Sequence, residues 1–109
     1  TAVTMGSGSL KVFATPAMIA LIEKAACKAL DGQLDDGQTT VGTKLDVAHV
    51  AATPVGMNVT AEAVLTEIDN RRLVFEVVAR DEKDIIGKGT HERFIVNVEK
   101  FTAKTYGKV

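Results

Sequence analysis

The sequence has no tryptophan, a single cysteine and only two prolines. One cysteine, Cys27, cannot close an internal disulfide, so the fold must stand on packing, and a small packing residue in a reducing compartment is the expectation. No apolar run approaches the roughly 20 residues that span a bilayer. Nothing near the start resembles the charged segment and apolar core of a secretory leader. An excess of one charge is missing too: 13 basic against 14 acidic residues give a formal net charge of -1, too small a field to gather nucleic acid or an anionic membrane. No pair of histidines or cysteines has metal-ligand spacing, so no metal is expected. There is no internal repeat and no low-complexity tract. A cytoplasmic protein with neither a nucleic-acid nor a membrane partner is the expectation, although residues upstream of Thr1 would bear on targeting.

What is present is an apolar fraction of 46% in 109 residues, enough for one domain with a hydrophobic core and too little for two. A single domain over 1–109 is expected. The first ten residues read as a short β-friendly "TAVTM" followed by the loop chemistry of Gly6-Ser7-Gly8-Ser9. At Thr15 the signals change together: threonine suits a helix N-cap, and Pro16 suits the first helical position, where its missing N–H costs nothing. Met18, Ile22, Ala25, Ala26 and Ala29 then fall on one face, widened by Leu21, Ile19 and Leu30, and Asp31-Gly32 supplies the stop.

From Thr39 onward β-branched residues dominate. Strands are predicted near 39–50, 56–68, 72–81 and 86–98, with a hairpin turn at Asp69-Asn70, a charged turn over Asp81 to Asp84 and a bend at Thr53-Pro54. One helix followed by antiparallel strands is an α+β pattern. The helix is apolar over about two thirds of its circumference, more than one flat sheet face covers, so the sheet is expected to curve around it.

Three side chains stand out chemically. Glu23 lies at the edge of the apolar arc, with Lys24 and Lys28 on the solvated side. It is either a boundary carboxylate reaching water or a partly buried one suited to base or nucleophile chemistry, and helix periodicity does not choose between them. His49 shares a strand face with Val41, Thr43, Leu45 and Val47 by period-two alternation, as a structural or a proton-carrying residue, and His91 has the same ambiguity. Thr15 can cap the helix and still offer its own proton to a substrate beside unpaired helix N–H groups. A hydroxyl, a carboxylate and an imidazole around one helix start and one strand end are what acyl transfer needs.

The order of the segments "VFATPAMIALIEKA", "TTVGTKLDVAHVAATPVGMNVTAEA", "NRRLVFEVVARD", "IIGKGTHERFIV" and "EKFTAK" resembles the fluoroacetyl-CoA thioesterase type of hot-dog-fold protein, without gaps from about Val12 to Lys104. The resemblance implies an antiparallel sheet wrapped around one long central helix, a homodimer with active sites close to the subunit interface, and hydrolysis of a short-chain acyl-CoA. Coenzyme A is then part of the substrate, and no separate cofactor is expected. The threonine of "VFAT", the glutamate eight residues later and the histidine of "H-x-A-A-T-P" make the family's catalytic set, which falls on Thr15, Glu23 and His49. Its pocket-lining glycine of "VGT" and arginine of "HER" fall on Gly42 and Arg93, as substrate-binding residues.

The family's fluoroacetate specialist carries an aromatic lid before "VFAT". Here that stretch is Gly6-Ser7-Gly8-Ser9-Leu10-Lys11, so a general short-chain acyl-CoA is the expected substrate. Arg71, Arg72 and Lys88 are candidates for the phosphates of coenzyme A. Two competing readings are a non-catalytic acyl-CoA or small-ligand binding protein, and a hot-dog hydratase or dehydratase, whose histidine-aspartate arrangement is not found.

Overall fold

The computed structural model describes residues 13–108. The expected strand tail "TAVTM", the Gly-Ser loop and the lid-equivalent stretch lie outside the described residues. Within them, the order is α1 (Thr15–Ala29), β1 (Gln38–His49), β2 (Thr60–Asp69), β3 (Arg72–Arg80), β4 (Ile85–Asn97) and α2 (Val98–Tyr106). The strands form one antiparallel sheet in the order β1-β4-β3-β2.

Helix α1 begins one residue earlier than its sequence signals suggest. Ala14 is the N-cap, with extended φ -76 and ψ 145 and no side-chain cap bond. Thr15 is therefore the first helical residue and not the cap, because its hydroxyl has a partner outside the helix. The helix closes at Leu30, and Gly32 takes φ 71 just beyond it, a left-handed conformation that costs glycine least.

Met18, Ile22 and Ala26 recur every fourth residue and form the buried stripe, because such positions lie above one another on a helix. Ile19, Leu21 and Ala25 are half-buried, whereas Cys27 and Ala29 are exposed. The packing role expected of Cys27 is therefore not seen. The stripe is narrower than the apolar arc because α1 packs mainly on β2 and β3.

Under α1, alternate residues Leu73, Phe75, Val77 and Ala79 of β3 are buried, and Ile86 of β4 joins them. Each large apolar side chain in this layer contributes about 1.5–3 kcal/mol through burial. The sheet and helix approach closely at Gly87, where a Cβ would run into Sδ of Met18. A side chain there would require the Met18 thioether to move.

Three local expectations shift. The β2–β3 turn is Asn70-Arg71, since Asp69 pairs with Arg72 and Asn70 takes φ 58, a conformation asparagine tolerates better than most residues. Strand β2 starts at Thr60 and not near 56, because Met57 N–H donates to the Pro54 carbonyl (3.3 Å) and keeps that stretch in a turn. Helix α2 follows β4 directly. Asn97 caps it by accepting from Lys100 N–H at 2.9 Å, with Glu99 in its first turn and Lys104 in its last, charges that complement the helix dipole.

The largest departure is in β1. Gly42 pairs with Arg93 and Lys44 with Glu92, so Thr43 is an extra residue in the ladder. A bulge of this kind interrupts simple alternation. Thr40 and Gly42 pair opposite Ile95 and Arg93, while Leu45, Val47 and His49 pair opposite His91, Gly89 and Gly87. All five therefore share the α1 side of the sheet. The expectation that Val41 and Thr43 share a face with His49 does not hold.

Candidate functional site

Two clusters line the part of β1 that α1 leaves uncovered. The first joins the start of α1 to the end of β1: Thr15 Oγ1 lies 2.8 Å from Nδ1 of His49. Whichever partner holds the proton, Nε2 of His49 is buried and has no hydrogen-bond partner among the described residues. An orphaned buried polar atom costs about 1–3 kcal/mol, so a group that engages this ring gains by doing so.

The segment after His49 holds this pair in place. Val50 N–H donates to the Ile86 carbonyl at 2.7 Å, and Phe13 N–H donates to the Thr53 carbonyl at 2.7 Å. Thr53 is fully buried, and its hydroxyl donates to Asp81 at 3.0 Å. Asp81 also accepts from the N–H groups of Lys83 (2.8 Å) and Asp84 (2.7 Å), and these backbone donors hold its carboxyl below the ordinary value of 3.8. Sequence reasoning read Thr53 and Asp81 only as a bend and a turn. The Thr-Pro step two residues beyond "HVA" was the available signal, but its link to Asp81 is long-range.

The second cluster gathers around Gly42. A Cβ placed there would lie 3.2 Å from Cε1 of His91, 3.4 Å from Nη1 of Arg93 and 3.5 Å from Oε2 of Glu23. Three polar side chains thus converge on Gly42, where an added methyl would be tight against the His91 ring. Arg93 is buried and donates from Nε to the Thr40 hydroxyl (2.8 Å) and from Nη2 to the Thr40 carbonyl (2.9 Å). Glu23 is exposed, and among the described residues it forms no ion pair. In this respect it matches the boundary carboxylate of the sequence reading.

The structure brings together Thr15 with His49, and Glu23 with Gly42 and Arg93, but does not join the two sets. Thr15 and Glu23 are separated by about 12 Å along the helix axis, and among the described residues no hydrogen bond links the clusters. Of the basic residues considered for phosphates, Arg72 is engaged elsewhere. Its guanidinium donates to Glu92 at 2.7 Å and Glu67 at 2.6 Å, an arrangement that raises the Arg72 pKa and lowers that of Glu92.

A helix laid across one face of an antiparallel sheet is the arrangement of the hot-dog fold. The fold is similar to that of a hot-dog-like protein from Thermanaerovibrio acidaminovorans, with a TM-score of 0.84 at 22% identity over 90% of this chain and 73% of that one. The family profile described as fluoroacetyl-CoA-specific thioesterase matches residues 1–99. The chain belongs to that family. It is 45% identical over 98 residues to the fluoroacetyl-CoA thioesterase of Streptantibioticus cattleyicolor, covering 90% of this chain and 70% of the relative. A crystal structure of a single-residue mutant of the fluoroacetyl-CoA-specific thioesterase FlK, in complex with fluoroacetate and CoA, is similar at a TM-score of 0.85 and 45% identity, covering 90% of this chain and 77% of the other. No helix among the described residues is long and apolar enough to cross a membrane.

Proposed function

We propose that the chain hydrolyses short-chain acyl-CoA thioesters to free acid and coenzyme A. The observation that carries this reading is the convergence of the Glu23 carboxylate and the Arg93 guanidinium on Gly42, which brings a base or nucleophile and a cation to one point. Glu23 directs attack at the thioester carbonyl, Thr15 and His49 orient groups and carry protons, and Gly42 and Arg93 receive the acyl end. A water oxygen becomes bonded to the carbonyl carbon, the C–S bond breaks and a proton ends on the coenzyme A sulfur. The small residues at Gly6–Ser9, in place of an aromatic lid, favour a broader acyl range than fluoroacetyl. The free, exposed thiol of Cys27 suits a reducing, cytoplasmic setting.

The same reading includes a homodimer. Strand β1 is an edge strand, and Leu45, on its α1 side, is 36% exposed; both are features that a second copy would cover. Antiparallel pairing of β1 with the β1 of a second copy, centred on Asp46 and with Thr43 again left unpaired, sets Leu45 opposite Val47 and Gly42 opposite the His49 of that copy. Each complete site then takes Glu23 from one subunit and the Thr15–His49 pair from the other.

The test is thiol release from acetyl-, fluoroacetyl-, propionyl-, butyryl- and phenylacetyl-CoA by wild type, Glu23→Ala and His49→Ala. Turnover by wild type and its loss in both variants is expected. Mixing the two variants after subunit exchange should restore roughly a quarter of the wild-type rate, because one site of each mixed dimer is intact. Binding without turnover by the wild type would replace this reading with that of an acyl-CoA binding protein.

A further inference from the structure

Arg93 is 7% exposed, yet among the described residues no carboxylate pairs with it. A buried cation left without a counter-charge is costly to a fold. The acidic neighbour in "HER" does not compensate it, since Glu92 faces Arg72 and Lys44. Every partner of the Arg93 fork is neutral: Thr40 takes Nε and Nη2, and Nε2 of His91 lies 3.2 Å from Nη1.

His91 is 2% exposed, and its two contacts select one state of its ring. Nδ1 lies 2.8 Å from the Lys44 carbonyl, which only accepts, so Nδ1 carries the proton. A guanidinium only donates, so Nε2 meets Arg93 as a lone pair. Both contacts require the same neutral tautomer.

We propose that His91 is a positioning residue for Arg93: a neutral acceptor that holds Nη1 beside Gly42 and Glu23 without cancelling its charge. A carboxylate in the same place would hold the fork equally well and neutralise it. An imidazole leaves the field available to negative charge that develops on the thioester oxygen as attack proceeds, where a fixed cation is worth most. The catalytic part of this inference rests on the thioesterase reading; the tautomer and the fork geometry do not.

The test compares His91→Gln, whose carboxamide oxygen can accept in place of Nε2, with His91→Asn, which reaches only the Nδ1 position, and with His91→Glu, which accepts but adds a counter-charge. Turnover within about threefold of wild type is expected for Gln, and a drop in kcat of about tenfold for Asn and Glu, the worth of one hydrogen bond to a charged group. In an Arg93→Met background, His91→Asn should cost nothing further, since residues acting through one another are not additive. Equal losses in Gln and Asn variants of matched Tm, or an Asn loss that persists without Arg93, would overturn the proposal. Imidazole 15N shifts of the wild type supply a readout independent of turnover. A protonated Nδ1 and bare Nε2 are expected, and the opposite tautomer overturns the assignment. Absence of turnover by wild type with these shifts as expected would instead bring down the thioesterase reading.

Discussion

At the Thr15–His49 end of the site a single hydrogen bond joins two side chains and a buried ring nitrogen is left without a partner, whereas at the Gly42 end every nitrogen of Arg93 and both nitrogens of His91 are engaged. The first end is under-satisfied in its hydrogen bonds and so is free to rearrange around a reacting group. The second is satisfied in its hydrogen bonds but not in its charge. Neither arrangement is what folding alone would select, and the kind of cost differs: an unmade bond at one end, an unpaired cation at the other.

This comparison breaks first at His49. His49→Ala should cut kcat/KM by about 100-fold or more and change unfolding stability by less than about 1 kcal/mol, read from thiol release and thermal unfolding. A fall in stability as large as the fall in rate would make His49 a structural residue.

Arg93→Met sharpens the other end. Its rate should fall about tenfold or more, while its stability changes by no more than about 1 kcal/mol, because relief from a buried charge offsets the acceptors left bare on Thr40 and His91. A loss of several kcal/mol in denaturant unfolding would make Arg93 chiefly a structural residue.

Gly42→Ala tests how tightly the converging groups are placed. The added methyl would lie 3.2 Å from Cε1 of His91, so the ring must give by a few tenths of an ångström, and in ordinary contact with Arg93 and Glu23. Such a shift should lower kcat/KM by about threefold to tenfold with little change in Tm.

The smallest effect concerns Asp81, which supports the Thr15–His49 end through Thr53. Hydrogen bonds from Lys83 N–H and Asp84 N–H lower its folded pKa below 3.8. The stabilisation is fully present above that unfolded-like value and is lost as the pH falls below it, through the folded pKa, because the unfolded state takes up the proton first. Glu92, lowered chiefly by Arg72, adds a dependence of the same sign. Asp81→Asn should therefore flatten the acid side of the stability profile without abolishing it, as measured by denaturant unfolding across pH. An unchanged profile would remove Asp81 from that supporting role.

Local periodicity made the helix, four strands and the charged turn legible, because each depends on spacings of a few residues. The order of motifs likewise marked Thr15, Glu23, His49, Gly42 and Arg93 as a set. It did not read α2, although Asn97, Glu99, Lys104 and Gly107 carry its capping chemistry, since the β-branched run of β4 masked the boundary. It expected Cys27 to pack and Thr15 to cap, but burial and hydrogen-bond partners are settled by neighbours distant in sequence. Strict alternation would have put Gly42 and His49, seven residues apart, on opposite faces of β1. One extra residue in the β1–β4 ladder, at Thr43, turns both toward α1. The residue types and their order were thus determined by the sequence alone, whereas their gathering on one face was decided by the tertiary structure, because strand register is fixed by long-range pairing and one unpaired residue reverses every side chain beyond it.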